Sequence, residues 1–350
     1  MMEKKERLIY SDILRIVSIF GVLVIHSISL FWRHIPIKTA SWPVFACLDS
    51  VFRFAVPVFV MISGMFMLSP EKDRGIKNLY SKNILHIFTS FIFWSILYAL
   101  FNSIPTNPEI SFSTRDFILR IIKGEYHLWF LFMIAGLYMV TPILRKIVDD
   151  KKLTEYFLAI WFVFCLFANF AKFIPYFGNT IFEVFKEFKI SAAIEYSGFY
   201  ILGYYLNKYP LDRKFRIPVY ILGFLSIAAT ALATVYSSFS SMSAQIKFLD
   251  YLLPTTLFSS CSIFIFVQHA CEKRSFSEKK KRVITALSKY SFGVYLCHIF
   301  VINTLKRLDI IKLDLPYILI FFIALISTVI ISTIASAILN HIPVLKKYIV

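Results

Sequence analysis

The stretch from Tyr10 to Trp32, YSDILRIVSIFGVLVIHSISLFW, decides the fold class of this chain. It is long enough to cross a bilayer as a helix, which takes about 20 predominantly apolar residues. Arg15 and His26 interrupt it, although an arginine at the centre of a membrane helix costs about 2.5–3.5 kcal/mol. The spacing puts both side chains on one helix face, about 16 Å apart along the axis. We interpret that face as the wall of a polar site, because ionisable residues in membrane helices are usually functional.

The composition extends this interpretation to the whole chain. Of its 350 residues, 58% are hydrophobic, and the mean hydropathy is +0.69, whereas soluble domains are about 45–50% apolar. The net charge of +17 comes from basic residues spread over short loops, a pattern that favours the positive-inside rule over nucleic-acid binding. The five cysteines are scattered without metal-ligand spacing. We therefore expect a multi-pass protein with no nucleic-acid partner and no metal.

Hydropathy predicts an all-α protein of about ten transmembrane helices in a single domain, 1–350. The predicted spans are 10–32, 44–68, 83–101, 127–144, 154–172, 192–207, 217–237, 249–270, 288–305 and 316–340. The first span is too long for a signal peptide and lacks a small-residue cleavage site, so it reads as an uncleaved anchor. Between the third and fourth spans, segment 114–123 is amphipathic, which favours a helix lying at the outer interface.

The loop charges give an orientation. With the N-terminus inside, the inner segments hold twice as many lysines and arginines as the outer segments. This asymmetry predicts an even number of spans with both termini cytoplasmic, in the inner or plasma membrane of the cell. Arg15 then lies toward the cytoplasm, and His26 lies in the outer half of the first span.

Two readings are open for the polar residues of the first span. Asp12 and Arg15 are three residues apart and can pair on one helix face, which would be a structural ion pair at the interface. Alternatively, Arg15 presents its guanidinium to an anionic ligand, since the planar fork donates two hydrogen bonds to phosphate. His26 is either a hydrogen-bonded packing residue or a general base, because its ordinary pKa of about 6.5 suits proton transfer.

Further candidates lie in the outer half. Asp49 and Arg53 are four residues apart and form either a structural pair or part of an acceptor site, while Gly64 permits close helix contact. Other polar and aromatic residues near the outer face are either ordinary interfacial and packing residues or the lining of a pocket for a hydroxyl-bearing substrate. This second group comprises Glu125, His127, Trp129, Glu195 and His298.

Four motifs in order resemble the membrane acyltransferase 3 family. The first is DILR at 12–15, followed by His26. The others are FVMISGMFML at 59–68, HLWFL at 127–131 with Tyr138 and Pro142 downstream, and SFGVYLCH at 291–298. Together they cover nearly the whole chain.

The resemblance implies a ten-helix bundle that transfers an acyl group, usually acetyl, from cytoplasmic acyl-CoA to a hydroxyl of a surface or lipid-linked glycan. Arg15 and His26 match the family's essential pair. The chain departs from the family at 83–86, where NILH replaces an Arg-x-x-Arg motif. No hydrolase-like domain follows the last span, so the chain resembles the stand-alone sugar O-acetyltransferases.

The resulting hypothesis assigns the CoA phosphates to Arg15 together with basic residues of the second inner segment, namely Lys72, Arg74, Lys77 and Lys82. His26 would act as general base, with Asp12 beside Arg15 and with a carboxylate, Asp49 or Glu125, orienting the imidazole. Two other classes compete with this one. A transporter or flippase for a lipid-linked glycan or polar solute usually shows repeats or broken spans, and a glycosyltransferase usually needs paired outer carboxylates for a metal.

Overall fold

The computed structural model describes residues 7–32, 34–73, 75–104 and 113–350. Within these ranges every regular element is a helix and no strand occurs, so the all-α prediction is confirmed. The elements of the first half are α1 Ile9–Ser29, α2 Ser41–Phe52, α3 Ala55–Met67, α4 Gly75–Asn78, α5 Leu85–Ser103, α6 Thr114–Lys123, α7 Trp129–Asp149, α8 Lys151–Trp161 and α9 Ala168–Ala171. Two π-helical segments, Leu79–Ile84 and Phe162–Phe167, join α4 to α5 and α8 to α9.

The second half contains both short interfacial pieces and long helices. Its elements are α10 Gly178–Glu187, α11 Ile190–Ile194, α12 Ser197–Lys208, α13 Arg213–Ser241, α14 Pro254–Glu272, α15 Glu278–Arg307, α16 Tyr317–His341 and α17 Pro343–Tyr348.

Eight helical stretches of the described chain are long and apolar enough to cross a membrane. They include α1, the α2–α3 pair and the four long helices α7, α13, α15 and α16. Helices also form over the two remaining predicted spans, as α12 and α14, but α12 has 12 residues, too few to cross a bilayer core unaided. The count of ten and the cytoplasmic placement of both termini stay predictions.

The predicted span 44–68 is two helices rather than one. The helix is interrupted at Arg53 and Phe54, between α2 and α3. Pro57 explains the break, because proline lacks an N–H and its ring clashes with the carbonyl four residues earlier. The break leaves Arg53 directly after the last residue of α2.

The amphipathic helix predicted at 114–123 forms as α6. The Ser113 hydroxyl accepts a hydrogen bond from the Asp116 N–H at its start, and Gly124 ends it with φ +70°. A left-handed residue after the last turn is the usual way to end a helix, and glycine adopts it without strain.

α1 lies at the centre of the bundle. It packs against α2, α3, α14, α15 and α16, and its apolar side chains Leu14, Leu23, Val24 and Ile28 are buried. Beside it, α3 and α12 meet at two glycines. A Cβ at Gly64 would lie 1.8 Å from the Tyr200 carbonyl oxygen, and one at Gly203 would lie 2.0 Å from that of Met61. The close helix contact predicted for Gly64 is therefore present.

Candidate functional site

The predicted site residues fall at two ends of the bundle. We call the first the basic end: it contains the beginnings of α1 and α15 and the C-terminal ends of α3, α7, α12 and α14. We call the second the histidine end: it contains the last turns of α1, the segment before α7 and the second half of α15. Arg15 belongs to the basic end and His26 to the histidine end, as their eleven-residue spacing predicts.

Asp12 organises the polar residues at the start of α1. Its buried carboxylate accepts hydrogen bonds from Arg7 at 2.6 and 3.0 Å and from the Ser288 hydroxyl of α15 at 2.7 Å. Arg15 lies 3.4 Å away, which confirms the predicted pairing. The hydrogen bond with Asp12 raises the pKa of Arg7. Asp12 therefore ties α1 to α15 and holds two guanidinium groups at this end.

Three open clefts surround these groups. The first, about 710 Å³, includes Lys82, Arg145 and Lys146 in its lining. The second, about 820 Å³, includes Arg7, Arg274 and Arg282, and the third, about 520 Å³, includes Arg7, Asp12 and Arg15.

The three clefts adjoin one another. Arg7, Leu8 and Asn207 line both the second and the third cleft, and Phe66 lines both the first and the third. The guanidinium of Arg15 lies 5.0 Å from the centre of the Phe66 ring, and its side chain is 31% exposed. Arg15 is therefore accessible from the cleft rather than enclosed in an ion pair.

Of the other predicted donor-binding residues, Lys82 lines the first cleft. Lys77 is exposed in α4 and lines none of the three clefts. Arg74 and the side chain of Lys72 lie outside the described residues. The structure thus brings one lysine of this segment to a cleft beside the one that contains Arg15.

Arg145 is a residue of this end that sequence reasoning missed, because it was counted only as a loop charge. Its guanidinium donates to the Met67 carbonyl at 3.0 and 2.8 Å and contacts Asp73 at 2.5 Å. The side chain is 14% exposed. Arg145 therefore anchors the end of α3 and the following loop to α7, and with them one wall of the first cleft. Proximity in the fold, rather than any local motif, identifies it.

Three histidines meet at the other end. The ring centres of His26 and His298 are 5.0 Å apart, and those of His127 and His298 are 5.2 Å apart. His127 and His298 are buried, whereas His26 is half-buried. Tyr98 and Tyr295 also pack against His127. The residues come from α1, α5, α15 and the turn before α7, so the cluster exists only in the folded bundle.

The hydrogen-bond partner of His26 is a tyrosine. The Tyr126 hydroxyl lies 3.3 Å from Nδ1 of His26. The expected carboxylates are engaged elsewhere: Glu125 accepts a hydrogen bond from Asn102 at 2.8 Å, and Asp49 pairs with Arg53. The structure shows Tyr126 at His26 instead, and the expectation that Asp49 or Glu125 orients the imidazole stays a prediction. Tyr126 is a site residue that sequence reasoning missed, although it lies between the candidates Glu125 and His127.

Asp49 and Arg53 form the predicted ion pair. Arg53 Nε lies 2.7 Å from the Asp49 carboxylate, which is completely buried, and the Arg53 side chain is 15% exposed. The guanidinium also lies 5.3 Å from the centre of the Tyr251 ring. The break between α2 and α3 positions this pair, because α2 ends at Phe52, directly before Arg53.

Trp129 takes part in an aromatic cluster beside that pair. Its ring centre is 6.3 Å from that of Tyr251, in a stacked arrangement, and 5.7 Å from that of Tyr196. Trp129 remains 40% exposed. This cluster joins the start of α7 to Tyr196 and Tyr251, beside the pair of Asp49 and Arg53.

Glu195 is not a buried membrane carboxylate. The predicted span 192–207 is interrupted at residues 195 and 196, and α12 begins at Ser197. Glu195 lies in this turn and is exposed. Its carbonyl accepts a hydrogen bond from the Trp161 indole at 2.6 Å, and it lines a small cavity with Cys165. The structure does not bring it to the three histidines.

Within the described residues, no group of three or more histidine, cysteine, aspartate or glutamate side chains has a geometry that could hold a metal ion. A family model described as an acyltransferase domain, that of the acyltransferase 3 family, matches residues 8–337. The match therefore spans both ends of the bundle. No curated protein and no solved structure matches the chain at a significant level.

Proposed function

The chain belongs to the acyltransferase 3 family, and from that membership we propose that it transfers an acetyl group from cytoplasmic acyl-CoA to a hydroxyl of a glycan. It is a membrane acyltransferase. The proposal adds the donor, the acceptor and the base. It places the basic end at the cytoplasmic face of the cell's inner or plasma membrane, and the histidine end toward the surface or lipid-linked acceptor.

The clefts at the basic end support an anionic donor. Arg15 lines the third cleft, and its side chain is 31% exposed; a guanidinium suits phosphate because it donates two parallel hydrogen bonds. Arg7 links this cleft to a second one that contains Arg274 and Arg282. In the proposal these groups and Lys82 hold the phosphates of CoA, with Arg74 and Lys77 of the same segment as further candidates.

The separation of the two ends supports transfer across the bundle. His26 lies about 16 Å beyond Arg15 along α1, a depth that the extended pantetheine arm of CoA spans. The acyl group would then lie near His26 while the phosphates remain at the basic end. Asp12 acts here by holding Arg15 rather than by contacting the reacting atoms.

The chemical step uses His26 as general base, with the acceptor hydroxyl attacking the thioester carbonyl. The O–H bond breaks, the C–O bond forms and the C–S bond breaks. In the tautomer that suits this role, Nδ1 donates to the Tyr126 oxygen and Nε2 is unprotonated. General base catalysis of this kind contributes about 10²–10⁴-fold.

In the proposal, the aromatic and polar residues near the histidine end bind the acceptor. Trp129 offers an exposed ring, and Glu125 and His127 precede it in the chain. Arg53, which is paired with Asp49, contacts the ring of Tyr251, and Tyr251 stacks with Trp129. In this arrangement the glycan rests against Trp129 and presents one hydroxyl toward His26, while Glu195 contacts only its outer part.

One observation carries the proposal: the half-buried imidazole of His26 and the accessible guanidinium of Arg15 lie on one face of the central helix, at opposite ends. The test uses acetyl-CoA labelled in its acetyl group, added to sealed inside-out vesicles that contain the native acceptor. Label is followed into lipid-linked and polymeric glycan for wild type and His26→Ala.

We expect label in glycan only with wild type. The matched control is His341→Ala, because His341 is exposed at the end of α16, far along the chain from the cluster. Equal labelling by wild type and His26→Ala would overturn the assignment of the base. If neither folded protein transfers label, the proposed donor is wrong and the alternative function, transport of the glycan, is favoured.

A further inference from the structure

Two buried imidazoles lie next to His26 without a role in the mechanism above. His298 is completely buried and His127 is 2% exposed. The ring centre of His298 is 5.0 Å from that of His26 and 5.2 Å from that of His127. Of the two, His298 is the one that contacts the ring of His26 directly from the neighbouring helix α15.

The hydrogen bonds of His298 determine its tautomer. Nδ1 lies 2.6 Å from the carbonyl oxygen of Tyr295, and a carbonyl can only accept a hydrogen bond. Nδ1 therefore carries the proton, and in the neutral ring Nε2 has a lone pair. The Tyr295 hydroxyl in turn donates to the His127 carbonyl at 2.7 Å. This hydrogen bond fixes α15 at Tyr295, the residue whose carbonyl accepts the hydrogen bond from His298.

Nε2 of His298 has no hydrogen-bond partner among the described residues. Buried polar atoms are nearly always partnered, so an exception suggests a partner that forms in another state of the protein. The ring of His26 is the candidate for that partner, because its centre lies 5.0 Å from that of His298 and both of its nitrogens donate once it is protonated.

We propose that Nε2 of His298 accepts an N–H of the imidazolium that forms when His26 takes the proton of the acceptor hydroxyl, and that this hydrogen bond stabilises the imidazolium. The inference rests on the proposed function, in which His26 is the base. When the C–S bond breaks, the proton passes from His26 to the thiolate sulfur and leaves as CoA–SH. No other reactant is needed, and His298 acts through His26 as a positioning residue.

The surroundings of His26 explain why a second ring is needed. The groups that face it are His298 from α15, Tyr126 and His127 from the segment before α7, and the cation Arg53 from the end of α2. The charge of Arg53 is balanced by Asp49, and the one side-chain hydrogen bond of His26 among the described residues is to Tyr126 rather than to a carboxylate. An imidazolium at His26 would therefore lie in an apolar region without a carboxylate partner, which is unfavourable unless a neighbouring atom accepts its N–H.

The first experiment compares His298→Asn with wild type in the labelled transfer assay. The asparagine amide nitrogen occupies the position of imidazole Nδ1 and can donate to the Tyr295 carbonyl, but nothing replaces Nε2. We expect kcat to fall about 100-fold, within the range of general base catalysis, with KM for the donor unchanged. Activity close to wild type would show that His298 only packs, and would overturn the proposal.

His341→Asn is the matched control. Nδ1 of His341 also lies near a backbone carbonyl of its own helix, that of Ala337 at 2.7 Å, but the residue is exposed. The same substitution there removes an equivalent ring without touching the cluster. We expect transfer by this variant to equal that of wild type, and an equal loss in both variants would overturn the special role of His298.

A second readout does not depend on turnover. Nitrogen-15 NMR of protein labelled at its seven histidines follows the protonation of His26 in wild type and in His298→Asn. If His298 accepts an N–H of protonated His26, the midpoint for His26 moves to lower pH in the variant, because that acceptor is gone. An unchanged midpoint would overturn this inference and leave the proposed base standing, whereas full transfer by His26→Ala would overturn the proposed base and this inference with it.

Discussion

The two ends of the bundle are built on opposite principles. At the histidine end, aromatic rings of α5, α15 and the segment before α7 form one cluster with His26 of α1, and His127 and His298 are buried in it. At the basic end, three adjoining clefts expose guanidinium and ammonium groups to the surroundings. A closed end suits a step in which a proton must be controlled, and an open end suits a large charged ligand that must enter and leave.

This contrast predicts a division of kinetic effects. Changes at the histidine end should lower kcat, because they act on the reacting atoms, and changes at the basic end should raise KM for the donor, because they act on its binding. Of the four variants that follow, in order of decreasing effect, three test this division and Asp49→Leu tests the ion pair at the histidine end.

His26→Gln should have the largest effect. Glutamine retains polarity but cannot take a proton, so kcat should fall about 10²–10⁴-fold while KM for acyl-CoA stays constant. Initial rates over a range of donor concentrations measure both, with protein amount in the membrane as control. A higher KM with an unchanged kcat would place His26 among the donor-binding residues and would contradict the division of kinetic effects between the two ends.

Asp49→Leu should act on folding rather than on rate. It leaves the cation of Arg53 buried without its partner, which costs about 3–5 kcal/mol. Thermal unfolding in detergent should show a lower midpoint, largely restored in the double variant Asp49→Leu/Arg53→Met, which removes both charges. A stable Asp49→Leu protein that binds the glycan poorly would instead assign the pair to the acceptor site.

Arg15→Gln should raise KM about tenfold or more, since a hydrogen bond to a charged group contributes about 1.5–3 kcal/mol. Arg15→Lys should fall between wild type and Arg15→Gln, because lysine keeps the charge but loses the planar fork. The KM for acyl-CoA at several salt concentrations checks this. A fall in kcat alone would show that Arg15 serves the chemical step.

Lys82→Ala should have the smallest effect, a rise in KM of about two- to fivefold, because exposed charge pairs contribute up to about 1 kcal/mol. Lys77→Ala is the matched control, since Lys77 belongs to the same basic segment but lines none of the three clefts. If both variants change KM equally, diffuse charge rather than the cleft attracts the donor.

Features that depend on neighbouring residues within one helix could be predicted from the sequence. The all-helical fold, α6, and the pairs formed by Asp12 with Arg15 and by Asp49 with Arg53 all follow from local periodicity and are confirmed. So does the close helix contact at Gly64, which follows from the small size of the residue.

Contacts between distant segments were beyond such reasoning. The meeting of His26 with His298, the anchoring of α3 by Arg145, and the link from Ser288 to Asp12 each join residues far apart in the chain. The break at Arg53 and Phe54 was not predicted for a local reason that hydropathy does not register: Pro57 leaves the apolar composition unchanged, and Ser41–Met67 is still one membrane-length stretch.

α15 contacts α1 at two positions along its length, one at each end of the bundle. Ser288 holds Asp12 at one height, and His298 packs on His26 at the other. Neither helix can slide along the other without separating one of these contacts, which keeps α15 in register with both sites on α1. Arg15 and His26 both belong to α1, so the helical rise alone sets their separation at about 16 Å. If the proposed donor binds here, this fixed separation selects for its length: a thioester on a short thiol would engage one end at a time, whereas a long-armed carrier would engage both at once.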